Sequence, residues 1–187
     1  MESKKHANLG RKIVKISALG IAGLGLLLVL TAAISNLFLP QAPEDLQQLT
    51  TETVLYSTET LNLLNELGSE IWPKFGGNIP IIVWNEKTAF LVNYHDHPEG
   101  WEKIDRPMVN GYPVYRQPNT KPYQAFTEPL ANGTWTGSMA TKNAMNREFI
   151  QLFQQNLPPM IKRVFPYQLL LLSTDLYITT LAHETFH

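Results

Sequence analysis

The sequence predicts an α+β domain carried behind one N-terminal transmembrane helix, and three observations predict it. Residues 16–34 form a run of nineteen residues without a charge. Residues 79–94 contain two short apolar, β-branched runs around a polar break, the pattern of a hairpin. Helical periodicity precedes this region and returns after it. Helix, then several strands, then helices is the order expected of a small antiparallel sheet backed by helices.

The apolar run decides the location. Nineteen residues at roughly 1.5 Å per residue cross a hydrocarbon core of about 30 Å. Lys4, Lys5, Arg11, Lys12 and Lys15 precede it against the single acid Glu2, so the positive-inside rule puts residues 1–15 in the cytoplasm and everything after about residue 40 outside. Thr31 and Ala33 are small enough for a signal-peptidase site. The run nevertheless exceeds the usual h-region of about 7–15 residues and continues through Leu37-Phe38-Leu39 to Pro40, so a retained anchor over 16–39 is expected.

Beyond residue 40 the chain carries 10 Lys plus Arg and 15 Asp plus Glu, a net charge of −5. That balance gives no basic surface for nucleic acid. The absence of cysteine excludes a disulfide framework and any thiolate nucleophile or ligand.

From Pro43 to Leu67, Leu46, Leu49, Thr53, Tyr56, Thr60, Leu64 and Leu67 advance by three and four, with Gly68 as a stop. Residues 40–78 therefore read as a helical stalk or as the first helix of the domain. After a turn at Trp72–Gly77, Ile79–Trp84 and Thr88–Tyr94 form a hairpin about Asn85-Glu86-Lys87. Further strands are expected at Tyr112–Arg116, Gln124–Glu128 and Gly133–Ala140, and helices at Lys142–Asn156 and Pro158–Val164. Asn132-Gly133-Thr134 reads as a turn. Trp84, Trp101 and Trp135 read as sheet-packing residues, and Leu169–Leu172 as core.

The chemistry concentrates in His183-Glu184-Thr185-Phe186-His187. Two histidines four apart on a helix differ in direction by only about 40°, so both imidazoles can bind one Zn²⁺ from one face. Glu184 beside that face suits a general base for a metal-activated water. Ser173, Thr174 and Asp175 are N-cap types from which the required helix can start, and Leu181 and Phe186 would face a core.

The residues about the motif extend the pattern: Thr180 lies three positions before His183, and Leu181, Ala182, Thr185 and Phe186 are uncharged and not proline. In this the chain resembles the zincin metallopeptidases over about eight residues. The resemblance implies a zincin-type active-site helix within a partial α+β catalytic domain over residues 79–187. It also implies metal ligands His183 and His187, catalytic Glu184, a Zn²⁺ cofactor and a peptide or protein substrate. A catalytic zinc normally has three protein ligands plus water, so the third ligand is expected outside this chain and the chain is expected to be an N-terminal, inactive fragment. The alternative is a non-catalytic membrane-anchored interaction domain with an accidental or vestigial motif.

His95-Asp96-His97 is the other cluster with ligand chemistry. Two histidines at i and i+2 on a strand point the same way, but Pro98-Glu99-Gly100 follows, and the cluster reads as a polar turn and not as a metal site.

Overall fold

A computed structural model describes residues 2–43, 45–71, 78–120 and 125–186; the expected turn at 72–77 and the motif residue His187 lie outside them. The elements in chain order are α1 (Glu2–Ser35), a 3₁₀ turn (Asn36–Phe38), α2 (Thr51–Ile71), β1 (Ile81–Trp84) and β2 (Thr88–Val92). They continue with β3 (Glu102–Val109), β4 (Tyr112–Pro118), β5 (Phe126–Pro129), β6 (Trp135–Ala140), α3 (Lys142–Asn156), α4 (Pro159–Val164), a second 3₁₀ turn (Tyr167–Leu170) and α5 (Thr174–Glu184). The chain divides into two compact units, residues 1–39 with 150–171 and residues 40–149 with 172–187.

In the first unit α1 and the 3₁₀ turn after it present 24 residues, Lys15–Phe38, with a mean hydropathy of 2.2 and only 6% of the most apolar window buried. By length and composition it can span a membrane. Its end is tied to residues 165–168. Asn36 Nδ2 donates to the Phe165 carbonyl at 2.9 Å while its Oδ1 accepts from the Tyr167 amide at 3.2 Å. Gln168 Nε2 donates to the Ser35 and Phe38 carbonyls at 3.1 and 3.2 Å. These side chains satisfy carbonyls and amides left open where helix gives way to turn. Leu169–Leu172 is not core: Leu169 is 79% exposed and Leu170, Leu171 and Leu172 are only half-buried. The apolar run says that these side chains avoid water in general, whereas only Leu172 packs against the core of the second unit.

The second unit is built on a six-stranded sheet in the order β3-β4-β2-β1-β6-β5. Strand alternation sorts its side chains onto two faces. Ile81, Val83, Phe90, Val92, Val114 and Met139 face α2 and α5, where they meet Leu61, Leu64, Tyr177 and Leu181 in the main core. Ile82, Ala89, Leu91 and Tyr115 face the other way, under Tyr94, Trp101 and Leu130. Trp84 packs against that smaller cluster, while Trp135 is 62% exposed and covers nothing comparable.

The sheet is mixed and not antiparallel as the sequence led one to expect. Three antiparallel pairs, β1–β2, β3–β4 and β5–β6, are sequence neighbours. The β5–β6 hairpin then docks beside β1 with β6 parallel to it, Ile81 opposite Gly137 and Trp84 opposite Ala140. Alternation and turn residues reveal each hairpin; the edge on which a hairpin docks is set by packing.

β3 is a strand the sequence reading omits. Its Glu102, Lys103, Asp105 and Arg106 point to solvent and Pro107 interrupts it, which is how an edge strand is kept from pairing further. The available signal was Asn110-Gly111, a dipeptide suited to a tight hairpin turn, and both residues have positive φ, 51° and 81°.

α2 begins eight residues after Pro43. Thr50 Oγ1 accepts the Thr53 amide at 3.3 Å as its cap, and the preceding segment is held as a turn, with Asp45 Oδ1 accepting the Gln47 amide at 2.8 Å and Asn85 Nδ2 donating to the Leu46 carbonyl at 2.9 Å. Gly68 does not end it; the glycine is buried within the helix.

Candidate functional site

Three attachments fix α5, which carries His183 and Glu184. Ser173 Oγ caps its first turn by accepting the Leu176 amide at 3.2 Å, and Asp175 adds negative charge at the positive end of the helix dipole. On either side of the cap, Asn146 Oδ1 accepts the Leu172 amide at 2.8 Å and Lys142 Nζ donates to Thr174 Oγ1 at 2.9 Å. In mid-helix, the Tyr177 hydroxyl donates to the Ala140 carbonyl at 3.0 Å. Burial raises the phenol above its ordinary value, and the Lys142 backbone opposes this in part.

The third attachment sits next to the motif. Thr185 packs on Gly137 of β6 so closely that a Cβ built on the glycine would lie 2.4 Å from Thr185 Cγ2 and 3.3 Å from its Cα. The Thr185 hydroxyl donates to the Ala182 carbonyl at 2.6 Å and holds the methyl in that position. Tyr177 to Thr185 is eight helical residues, about 12 Å, and Ala140 back to Gly137 is three strand residues, about 10 Å. The lengths match, so α5 runs along β6 in the opposite direction, with Thr185 where the strand lacks a side chain.

This anchoring determines what faces out. Tyr177, Leu181 and Ala182 are buried, Leu176, Thr179 and His183 are exposed, and Glu184 is half-buried. The His183 imidazole borders a cavity of about 250 Å³ whose walls are Leu63, Leu64, Leu67 and Ile71 of α2 with Thr179, Ala182 and Phe186. Glu184 Oε2 is buried with no hydrogen-bond partner. Among the described residues five other buried side-chain atoms, Ser138 Oγ and Asn93 Oδ1 among them, also lack a partner, and Glu184 Oε2 is the one that belongs to a carboxylate.

The helix is described as far as Glu184. Thr185 and Phe186 continue in a tighter turn, their amides bonding the carbonyls of Ala182 at 3.2 Å and His183 at 3.0 Å. The alignment of His187 with His183 is therefore outside the described structure. Among the described residues no three His, Cys, Asp or Glu side chains gather as a potential metal group.

His95 and His97 are placed in separate surroundings. The His95 ring lies 4.0 Å from the Tyr112 ring, with its Nε2 3.1 Å from Asn78 Nδ2, whereas His97 lies 5.7 Å from Tyr115. Asn132-Gly133-Thr134 forms the β5–β6 turn, with Gly133 at φ 81° and the Leu130 amide donating to the Thr134 carbonyl at 2.8 Å.

No protein-family model, curated protein or solved structure matches the chain. Its function therefore has to be argued from the residues themselves.

Proposed function

We propose that the protein acts as a membrane-anchored zinc metallopeptidase, with α1 as the anchor, its basic N-terminus in the cytoplasm and the second unit outside. The single observation that carries the enzymatic reading is the pairing of His183, exposed beside a cavity, with the next residue's buried, partnerless carboxylate oxygen. That oxygen has no donor on it and is open to a proton, as a general base requires.

In this reading His183 and His187 would hold the ion through their imidazole nitrogens, with a third protein ligand to complete the usual set. Zinc supplies Lewis acidity, lowering the pKa of water to about 7 and polarising the scissile carbonyl. Glu184 accepts the proton of the attacking water at its carboxylate and can return it to the leaving amine. The cap at Ser173, the Tyr177 bond and the Thr185–Gly137 contact hold the helix that carries both residues.

The test compares wild type, His183→Ala and Glu184→Gln, expressed from the natural reading frame, by zinc content and by cleavage of an unfolded protein substrate. His183→Ala should lose zinc. Glu184→Gln should retain zinc and lose turnover, since the amide keeps the shape but accepts no proton. A wild type that takes up no zinc, or a fully active Glu184→Gln, overturns the reading in favour of a non-catalytic anchored interaction domain.

A further inference from the structure

The first unit carries a group of features that catalysis does not use. Residues 158–171 follow α3 as a short helix and a 3₁₀ turn, and the Asn36 and Gln168 side chains tie this segment to the last residues of the apolar stretch. It is braced from inside by Tyr167, which is 2% exposed and whose hydroxyl donates to the Lys162 carbonyl at 3.0 Å. Its outward side chains are apolar: Met160 is 86% exposed, Leu169 79% and Ile161 45%. Leu37 and Phe38, at the end of the span, are each 76% exposed. Lys162 and Arg163 lie among them in the last turn of α4.

Isolated exposed apolar residues need no explanation, but a group of them on a segment hydrogen-bonded to the end of a membrane-length helix does. Of these side chains Leu37 and Phe38 follow directly on α1, whose residues 16–30 are exposed throughout. Two cations beside apolar side chains match a lipid boundary, where the apolar groups enter the acyl region and long basic side chains reach back to phosphates.

We infer that residues 158–171 form a membrane-interface element. The segment lies at the headgroup level of the bilayer crossed by α1, with Met160, Ile161 and Leu169 in the acyl boundary and Lys162 and Arg163 at lipid phosphates. Asn36 and Gln168 set its depth by fixing it to the end of the span. This inference rests on the reading of α1 as a membrane span, and its test separates the two.

The chain contains no cysteine, so Leu27→Cys, Met160→Cys and Leu169→Cys each provide a unique labelling site at an exposed position. Each full-length variant is labelled with an environment-sensitive fluorophore and reconstituted into phosphatidylcholine–phosphatidylglycerol vesicles. It is then quenched by aqueous iodide, by a lipid with a nitroxide near the headgroup and by a lipid with one deep in the acyl chain. Labels at 160 and 169 should lose most of their emission to the shallow nitroxide and little to iodide, and the label at 27 should lose most to the deep nitroxide. With the 27 label deep, labels at 160 and 169 that are open to iodide, or shielded from all three quenchers by protein, overturn the interface element and leave the span intact. A 27 label open to iodide overturns both.

Discussion

Replacing Gly137 by alanine tests whether the closeness of α5 to β6 is required. The new Cβ would lie 2.4 Å from Thr185 Cγ2, whereas carbon atoms pack at about 3.5–4.0 Å, so the helix end must retreat by about 1 Å or Thr185 must rotate. Rotation would give up the bond from its hydroxyl to the Ala182 carbonyl. Overpacking of this kind costs about 1–3 kcal/mol, and the lower unfolded-state entropy of alanine offsets about 0.4–1 of it, leaving about 1.3 kcal/mol of destabilisation at mid-range and about 2.6 at most. For a chain of this size that lowers Tm by about 2–8 °C, measurable by circular dichroism in detergent micelles. Thr185→Ser removes the offending methyl and keeps the hydroxyl, so the double variant should recover more than half of the loss, a coupling of at least about 0.5 kcal/mol. Under the proposed function zinc affinity should follow the same pattern, because the contact is adjacent to Glu184 and His183. An unchanged Tm for Gly137→Ala, or a loss that Thr185→Ser does not relieve, refutes the close-contact argument.

Tyr177→Phe should cost about 0.5–1.5 kcal/mol, the usual net value of a hydrogen bond, through loss of the bond to the Ala140 carbonyl. It should also change the alkaline limb of stability. Burial raises the Tyr177 phenol, so the unfolded tyrosine loses its proton first; the contribution is complete below about pH 10 and disappears as pH climbs through the higher folded value. Urea melts between pH 8 and 11 should show a shallower fall for the phenylalanine variant, and identical slopes would contradict the assignment. For topology, protease added to intact cells should digest the second unit and spare an N-terminal tag; the reverse pattern would invert the orientation drawn from the lysine cluster.

Features that depend on neighbouring residues were legible in the sequence. The membrane-length run, the β1–β2 hairpin, α3 and the Ser173 cap each follow from a local pattern, and each appears within a few residues of its expected place. The features that were not legible depend on what another part of the chain provides. β3 was left unassigned because an edge strand carries charge and proline on its free side, which breaks the apolar alternation of a strand. Leu169 looked like core because hydrophobicity does not say which apolar environment, protein or lipid, will cover it.

The candidate site shows the same division more sharply. Residue types and spacing singled out His183 and Glu184, and the exposure of one and the orphaned oxygen of the other are consequences of the helix face on which they sit. Gly137, by contrast, lies 46 residues from His183 in a strand, with no ligand chemistry to draw notice. It matters only because Thr185 occupies the space its side chain would fill. Two attachments spaced along β6, at Ala140 and Gly137, determine which side of α5 is buried, and hence that His183 faces the cavity while Leu181 faces the core. The motif identifies which chemistry is available; the fit of helix to strand determines whether that chemistry is held in a usable direction, and a glycine beneath the helix end is as much a part of the candidate site as the carboxylate above it.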